Sequence, residues 1–171
     1  MKLLSEKISD LQALYLRQLR LLLSAEGMIA IKTPHLLETA TDPELQQVFQ
    51  QCVSESEGRA ARLREILLHA PVDSAQPLKC RVVYGLFDEA EDMIEDCAHV
   101  SVRNAAIIAV AMRIKNYQTA AYQAVRQFAR VLGREQDVQM FDEILREEGY
   151  DSRQLSGIEE RVTSAYRETA A

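Results

Sequence analysis

Apolar residues recur every three or four positions along most of the chain, and no stretch shows the strict alternation of a half-buried strand. This spacing is typical of amphipathic helices, so the pattern predicts an all-α protein. The predicted helices run from about Leu3 to Thr33, from Pro43 to about His69, from about Cys80 to Ala98, from near Val102 to Leu132, and from near Glu135 to about Thr169.

Proline and glycine mark the predicted helix ends. Pro34 is expected to end the first helix, because the residue before a proline avoids the α conformation. A short separate turn of helix is expected to follow it. The run Thr41-Asp42-Pro43-Glu44 places a capping side chain ahead of a proline at the first helical position, which predicts the start of the second helix. Gly133 is expected to end the fourth helix, and Gly149 marks a weak point within the fifth.

The lengths of the links predict the topology. Short links follow the first and fourth helices, so each of these helices should form an antiparallel hairpin with its successor. A long connection that contains a short acidic helix joins the two hairpins. This connectivity is that of a ferritin-like four-helix bundle. We therefore predict such a bundle, with an additional helix in the long crossover, as one domain over residues 1–171.

Composition and charge exclude several classes of function. The formal charge of −6 and the pI near 5.2 argue against a nucleic-acid binder, and the charged residues are spread too evenly for a membrane span. The first residues lack the apolar core of a signal peptide, so a cytoplasmic protein is predicted. Glycine-rich phosphate loops, HExxH zinc motifs and recognisable Ser, His and Asp nucleophile contexts are all missing from the sequence.

Polar residues interrupt the apolar face of every long helix. Glu26 does so in the first helix, Glu55 in the second and Glu148 in the fifth, while Lys115 and Gln118 do so in the fourth. A buried carboxylate costs several kcal/mol unless a cation compensates its charge. Inward carboxylates on separate helices of a bundle suggest a di-metal site, although the ferritin-like ligand set also contains His residues that this sequence lacks. Alternatively, the helices rotate enough for the three carboxylates to reach solvent.

Five segments that span almost the whole chain share their order and spacing with one known family. They are Ser24-Ala25-Glu26 followed by Pro34, Pro43-Glu44-Leu45, the run from Glu55-Ser56-Glu57-Gly58 to Arg62-Leu63, Tyr117 with Ala120-Ala121-Tyr122, and Glu147-Glu148 with Leu155. Together they resemble the stress-associated bacterial ferritin-like proteins of the YciE and YciF type. The resemblance implies a ferritin-like fold, a homodimer, and metal ligands at Glu26, Glu55 and Glu148.

The departures from this family concern the implied metal ligands. Cys52 stands where the family usually has a His one turn before the second-helix Glu, and Arg59 replaces a common later His. Lys115 and Gln118 stand where the family has carboxylates on the fourth helix. An aspartate that the family has near position 152 is also missing, and the adjacent Asp151 is a candidate substitute.

These departures predict a degenerate metal site. Glu26, Glu55 and Glu148 would be its remaining, vestigial ligands, and Lys115 and Gln118 would occupy lost ligand positions. A protonated Lys cannot bind metal, but its charge can neutralise a neighbouring carboxylate and it can donate up to three hydrogen bonds. We therefore expect an ion-pair network without a resident cofactor, with iron or manganese as the metal if the site is functional.

Three functions remain open from the sequence. The first is a non-enzymatic, stress-associated protein of undefined role, which acts as a homodimer or binds an unidentified protein partner, with no nucleic acid and no membrane. The second is a di-iron or di-manganese carboxylate oxidase or peroxide-detoxifying enzyme with an altered ligand set, for which Cys52 and Asp151 are further candidates. The third is a helical module that binds an apolar ligand between its helices.

Overall fold

The computed structural model describes residues 8–70 and 78–169, and within these ranges the chain forms five helices and no strand. The all-α prediction is thereby confirmed for the described residues. The helices are α1 (Leu11–Thr39), α2 (Pro43–Leu68), α3 (Arg81–Asp96), α4 (Val100–Val131) and α5 (Glu135–Thr169).

Helices α1 and α2 pack together as one hairpin, and α4 and α5 pack together as a second. Helix α1 also contacts α4, and α2 contacts α5, so the order around the bundle is α1, α2, α5, α4. Helix α3 lies in the crossover between the hairpins and packs on α1 and α4. The predicted ferritin-like bundle with an additional crossover helix is confirmed. None of the described helices is long and apolar enough to cross a membrane.

Two predicted helix ends are confirmed by their local geometry. The Asp42 carboxylate accepts hydrogen bonds from the backbone N–H groups of Glu44 at 3.1 Å and Leu45 at 3.0 Å, and Pro43 is the first residue of α2. At the end of α4, Gly133 has a φ of 68°. This left-handed conformation suits glycine because it has no Cβ, and it turns the chain directly into α5.

The predicted start of the first helix is wrong. Helix α1 begins at Leu11, and the Asp10 carboxylate caps it by accepting a hydrogen bond from the N–H of Ala13 at 2.7 Å. Ile8, which precedes this cap, is 48% exposed. The predicted starting residue, Leu3, lies outside the described residues.

The predicted end of the first helix at Thr33 is also wrong, because α1 continues through Pro34 to Thr39. A proline inside a helix removes one backbone hydrogen bond and costs about 3 kcal/mol or more. Thr33 and Leu36 are both buried on either side of it, so the packing of this last segment offsets the cost. Helix α5 likewise runs through Gly149 without interruption.

A layer of buried polar residues divides the apolar core into two clusters. One cluster contains Tyr15, Leu19 and Phe141, and the other contains Ile29 and Ile107. Along α1 and α5 the chain passes from the first of these clusters through the layer to the second, and along α2 and α4 it passes in the opposite direction. Neighbouring helices of the bundle are therefore antiparallel. The polar layer consists of Glu26, Ser56, Arg59, Lys115, Gln118, Glu148 and Asp151.

Candidate functional site in the polar layer

Most of the sequence-predicted site residues meet in the polar layer. Glu26, Glu148 and Gln118 have no exposed surface, and Lys115 is 3% exposed. The alternative prediction, that the helices rotate enough for the carboxylates to reach solvent, is therefore wrong for Glu26 and Glu148. Glu55 differs, because it lies at the rim of the layer and its side chain is 20% exposed.

The register of two helices explains which acids turn inward. On α2, Ser56 is fully buried and takes the core position that the apolar pattern assigned to its neighbour Glu55. On α5, Glu148 is fully buried while the side chain of Glu147 is 36% exposed. Asp151 is 4% exposed, so it fills the core position after Glu148.

Arg59 of α2 lies at the centre of the layer, and its side chain has no exposed surface. Its Nη1 donates a hydrogen bond to Oε1 of Glu148, and its Nη2 donates one to Oε2 of Glu55 at 3.0 Å. Nη2 also donates to Oε2 of Glu147 at 3.3 Å and lies 3.8 Å from Oδ2 of Asp151. One guanidinium group thus neutralises acids from two helices. From the sequence, Arg59 was noted only as a residue that replaces a His of the family. The position of Arg59 on the apolar stripe of α2 was the sequence signal that could have indicated a buried cation.

Lys115 of α4 is the second buried cation. Its Nζ donates hydrogen bonds to Oδ2 of Asp151 at 2.6 Å and to Oε1 of Glu148 at 3.2 Å. Burial acts to lower the pKa of Lys115, but its ionisable neighbours, which include Cys52 and Glu148, raise that pKa above its usual value. The side chain therefore carries a positive charge at neutral pH.

Glu26 of α1 has a different environment. Its Oε1 accepts hydrogen bonds from the hydroxyl of Tyr122 at 2.8 Å and from Nε2 of Gln118 at 2.9 Å. Burial and the nearby Glu26 charge raise the pKa of Tyr122 well above its usual value, so the phenol remains a hydrogen-bond donor. The ion pairs of Arg59 and Lys115 are formed with other acids than Glu26.

The buried charges alternate around the bundle. In the order α1, α2, α5, α4, the layer presents Glu26, Arg59, Glu148 and Lys115. Each acid-bearing helix therefore has two neighbours that carry cations. Burial acts to lower the pKa of Arg59, but Glu148 and Glu26 outweigh this effect and raise it. Burial raises the pKa of Glu148 above its usual value, and the two cations partly oppose that shift.

The layer does not fit two divalent metal ions. Arg59 and Lys115 donate to the carboxylate oxygens that a metal would need, and protonated side chains cannot serve as ligands. Two divalent ions would add four positive charges to a core that already holds two buried cations. Within the described residues, no group of three or more His, Cys, Asp and Glu side chains is arranged to hold a metal ion.

Cys52 and a small cavity lie next to this network. The cavity has a volume of about 20 Å³ and is lined largely by apolar side chains together with Cys52 and Lys115. It has room for about one water molecule and is far smaller than a pocket for a drug-sized apolar ligand. Burial raises the pKa of the Cys52 thiol to about 11. At neutral pH the residue is therefore an unreactive thiol.

Comparisons with known proteins agree with this architecture. Residues 10–168 match a family described as a domain of unknown function, DUF892. The chain is 28% identical over 125 residues to protein YciF of Escherichia coli, and this match covers 73% of the chain and 75% of YciF.

Two solved structures share the fold. The crystal structure of the Escherichia coli stress protein YciF superposes with a TM-score of 0.86 at 24% identity, over 92% of this chain and 99% of that one. A structure described as ferritin-like, diiron-carboxylate proteins from Bacillus anthracis superposes with a TM-score of 0.67 at 15% identity, over 90% of this chain and 99% of that one. At these identities the likeness establishes the fold.

Proposed function

The chain belongs to the DUF892 family, and we propose that it is a stress-associated, ferritin-like protein that performs no di-metal catalysis. In this proposal the metal site of the fold is degenerate. Two buried side-chain cations take the place of metal ions at the centre of the bundle, and Glu26, Glu55 and Glu148 are vestigial ligands. The stress association rests on the similarity to YciF of Escherichia coli, which is described as a stress protein.

The observation that carries this proposal is the position of the two cations. Arg59 and Lys115 both donate to Oε1 of Glu148, and Lys115 also holds Asp151 at 2.6 Å. A metal ion at this point would have to displace a charged hydrogen bond in a buried environment, and such bonds are among the stronger ones in proteins. The network therefore stabilises the bundle core in the role that metal ions play in di-metal bundles.

Metal binding provides the direct test. We expect the protein purified without chelator to contain no stoichiometric iron, manganese or zinc. We also expect it to oxidise added ferrous iron no faster than buffer does, with oxygen or peroxide as the oxidant. The diiron-carboxylate relative from Bacillus anthracis is the positive control, treated in the same way. About two ferrous ions bound per chain, with accelerated oxidation, would instead establish the oxidase or peroxide-detoxifying alternative.

Restoring ligands should create the missing metal site. We expect the variant Arg59→His/Lys115→Glu/Gln118→Glu to bind iron or manganese, because it removes both buried cations and supplies three new ligands. The variant Lys115→Glu/Gln118→Glu keeps the guanidinium of Arg59 in the layer, so it should bind metal more weakly. Circular dichroism establishes that each variant is folded, and metal analysis after gel filtration measures the bound ions. A folded triple variant that binds no metal would contradict the proposal that the layer is a degenerate metal site.

We further propose that the protein acts as a homodimer or through an unidentified protein partner. This proposal rests on the family resemblance and on the lack of a reactive group in the polar layer. Sedimentation equilibrium at several concentrations measures the assembly state. A concentration-independent mass near 19.4 kDa, the mass of one chain, would contradict the homodimer.

A further inference from the structure

Four buried oxygen atoms of the polar layer have no hydrogen-bond partner, and one of them is the hydroxyl Oγ of Ser56. The other three are Oε2 of Glu26, Oε2 of Glu148 and Oε1 of Gln118, and all three side chains belong to residues with no exposed surface. Buried acceptors are almost always paired, so several unpaired acceptors in one layer need a physical explanation. All three atoms accept hydrogen bonds or bind cations, and none of them can donate a proton.

Side chains of α4 donate hydrogen bonds to both carboxylates: Gln118 donates to Glu26, and Lys115, one turn earlier on the same helix, donates to Glu148. Nε2 of Gln118 donates to Oε1 of Glu26 at 2.9 Å, which fixes the orientation of the amide and leaves its oxygen free. The opposite orientation would place two acceptors against each other. Glu148 lies across the bundle on α5, and the charge of Glu26 contributes to the raised pKa of Glu148. The two carboxylates are therefore electrostatic neighbours.

The charges of the layer do not balance. Three fully or nearly fully buried carboxylates, those of Glu26, Glu148 and Asp151, face two buried cations, Arg59 and Lys115. With these five groups ionised, the fully buried part of the layer carries one excess negative charge. Glu55 and Glu147, which also contact Arg59, are partly exposed, so solvent screens their charges. An uncompensated charge in a protein interior is strongly unfavourable. One monovalent cation would make the layer neutral, whereas one divalent cation would leave it with an excess positive charge.

We propose that the polar layer binds one small monovalent cation, coordinated by Oε2 of Glu26, Oε2 of Glu148 and Oε1 of Gln118. Carboxylate and amide oxygens are suitable ligands for sodium and potassium ions, and they are suitable acceptors for an ammonium ion. The site is separate from the two positions that Arg59 and Lys115 occupy. It goes beyond the proposed function, since a structural cation completes the charge balance that the side chains leave unfinished.

Thermal unfolding in different salts tests this proposal. The melting temperature is measured by calorimetry in sodium, potassium, ammonium and choline chloride at matched ionic strength, with a chelator of divalent ions present. Choline is too large to enter the layer. Above the dissociation constant of a small cation, we expect the melting temperature to rise by roughly 3–5 °C for each tenfold increase in its concentration. The three small cations distinguish which ion the site prefers.

Two variants within the layer and one exposed control variant test whether the effect arises in the layer. Glu26→Gln removes the excess charge and one coordinating carboxylate, so its melting temperature should not depend on the cation. Gln118→Met removes the amide oxygen and should weaken the dependence. Glu143→Gln makes the same change in charge at an exposed position of α5 and should keep the full response. Crystals grown with rubidium should show an anomalous peak between Glu26 and Glu148.

Equal melting temperatures in all four salts would overturn the proposal, and so would an undiminished cation response in Glu26→Gln. The first result would mean that no small cation binds in the layer. Binding of two ferrous ions per chain in the metal titration would overturn the proposed function instead. Because the salt experiment contains a chelator of divalent ions, the two failures can be distinguished.

Discussion

Replacing Arg59 by methionine is expected to lower the free energy of unfolding by about 3–5 kcal/mol, the usual cost of removing one partner from a buried ion pair. Methionine fills much of the arginine volume, so the loss would report mainly the charge and its hydrogen bonds. The substitution leaves Glu148 with Lys115 as its remaining cation and leaves Glu55 without its 3.0 Å contact. Urea denaturation followed by circular dichroism measures the change without adding salt.

Arg62→Met is the matched control for this experiment. Arg62 lies one turn further along α2, its side chain is 35% exposed, and its Nη2 is 3.6 Å from Oε1 of Glu147. An exposed ion pair of this kind contributes about 0–1 kcal/mol, so we expect a small loss. Equal losses in the two variants would contradict the assignment of Arg59 as the central cation of the layer.

The fourth helix shows how much of the polar layer could be predicted from the sequence. Its stripe from Ile108 through Lys115, Gln118 and Tyr122 to Val125 is regular, and every one of these residues is buried. When apolar residues recur at every step of three or four along a long helix, they determine which face of the helix turns toward the core. The inward orientation of Lys115 and Gln118 followed from that pattern alone.

The second helix shows where this reasoning fails. Glu55 and Ser56 are adjacent, and a rotation of less than a third of a turn decides which of them faces the core. The structure buries Ser56 and leaves Glu55 at the rim, where it still reaches Arg59. The apolar pattern of α2 is too irregular to fix such a rotation. Packing against α1 and α5 sets it, and a single-helix pattern does not contain those contacts.

Tertiary packing also explains the position where α1 ends and the arrangement of the buried charges. The local preference before Pro34 favours a break, but the burial of Thr33 and Leu36 holds α1 together across it. The alternation of acids and cations likewise depends on the order α1, α2, α5, α4. Because this order is set by tertiary packing, the pairing of Arg59 with Glu148 could not be predicted from α2 alone.

Lys115→Ala should also lower the free energy of unfolding by about 3–5 kcal/mol, since it removes the cation that holds Asp151 at 2.6 Å in the buried layer. Lys32→Ala is the matched control. Its side chain is 30% exposed and pairs with Glu91 at the surface, so we expect a loss of about 1 kcal/mol or less. Urea denaturation compares the two variants. A change near zero in Lys115→Ala would contradict the buried ion pair.

A double variant separates the charge of Lys115 from its packing. Replacing a complete buried ion pair by apolar residues is often neutral or stabilising, whereas removing one partner leaves an uncompensated charge. We therefore expect Lys115→Leu/Asp151→Leu to recover most of the stability that Lys115→Leu loses, measured in the same urea experiment. Purely additive losses would mean that the two side chains do not interact. Recovery would show that the layer depends on paired charges, which is the property that allows side-chain cations to take the place of metal ions in this bundle.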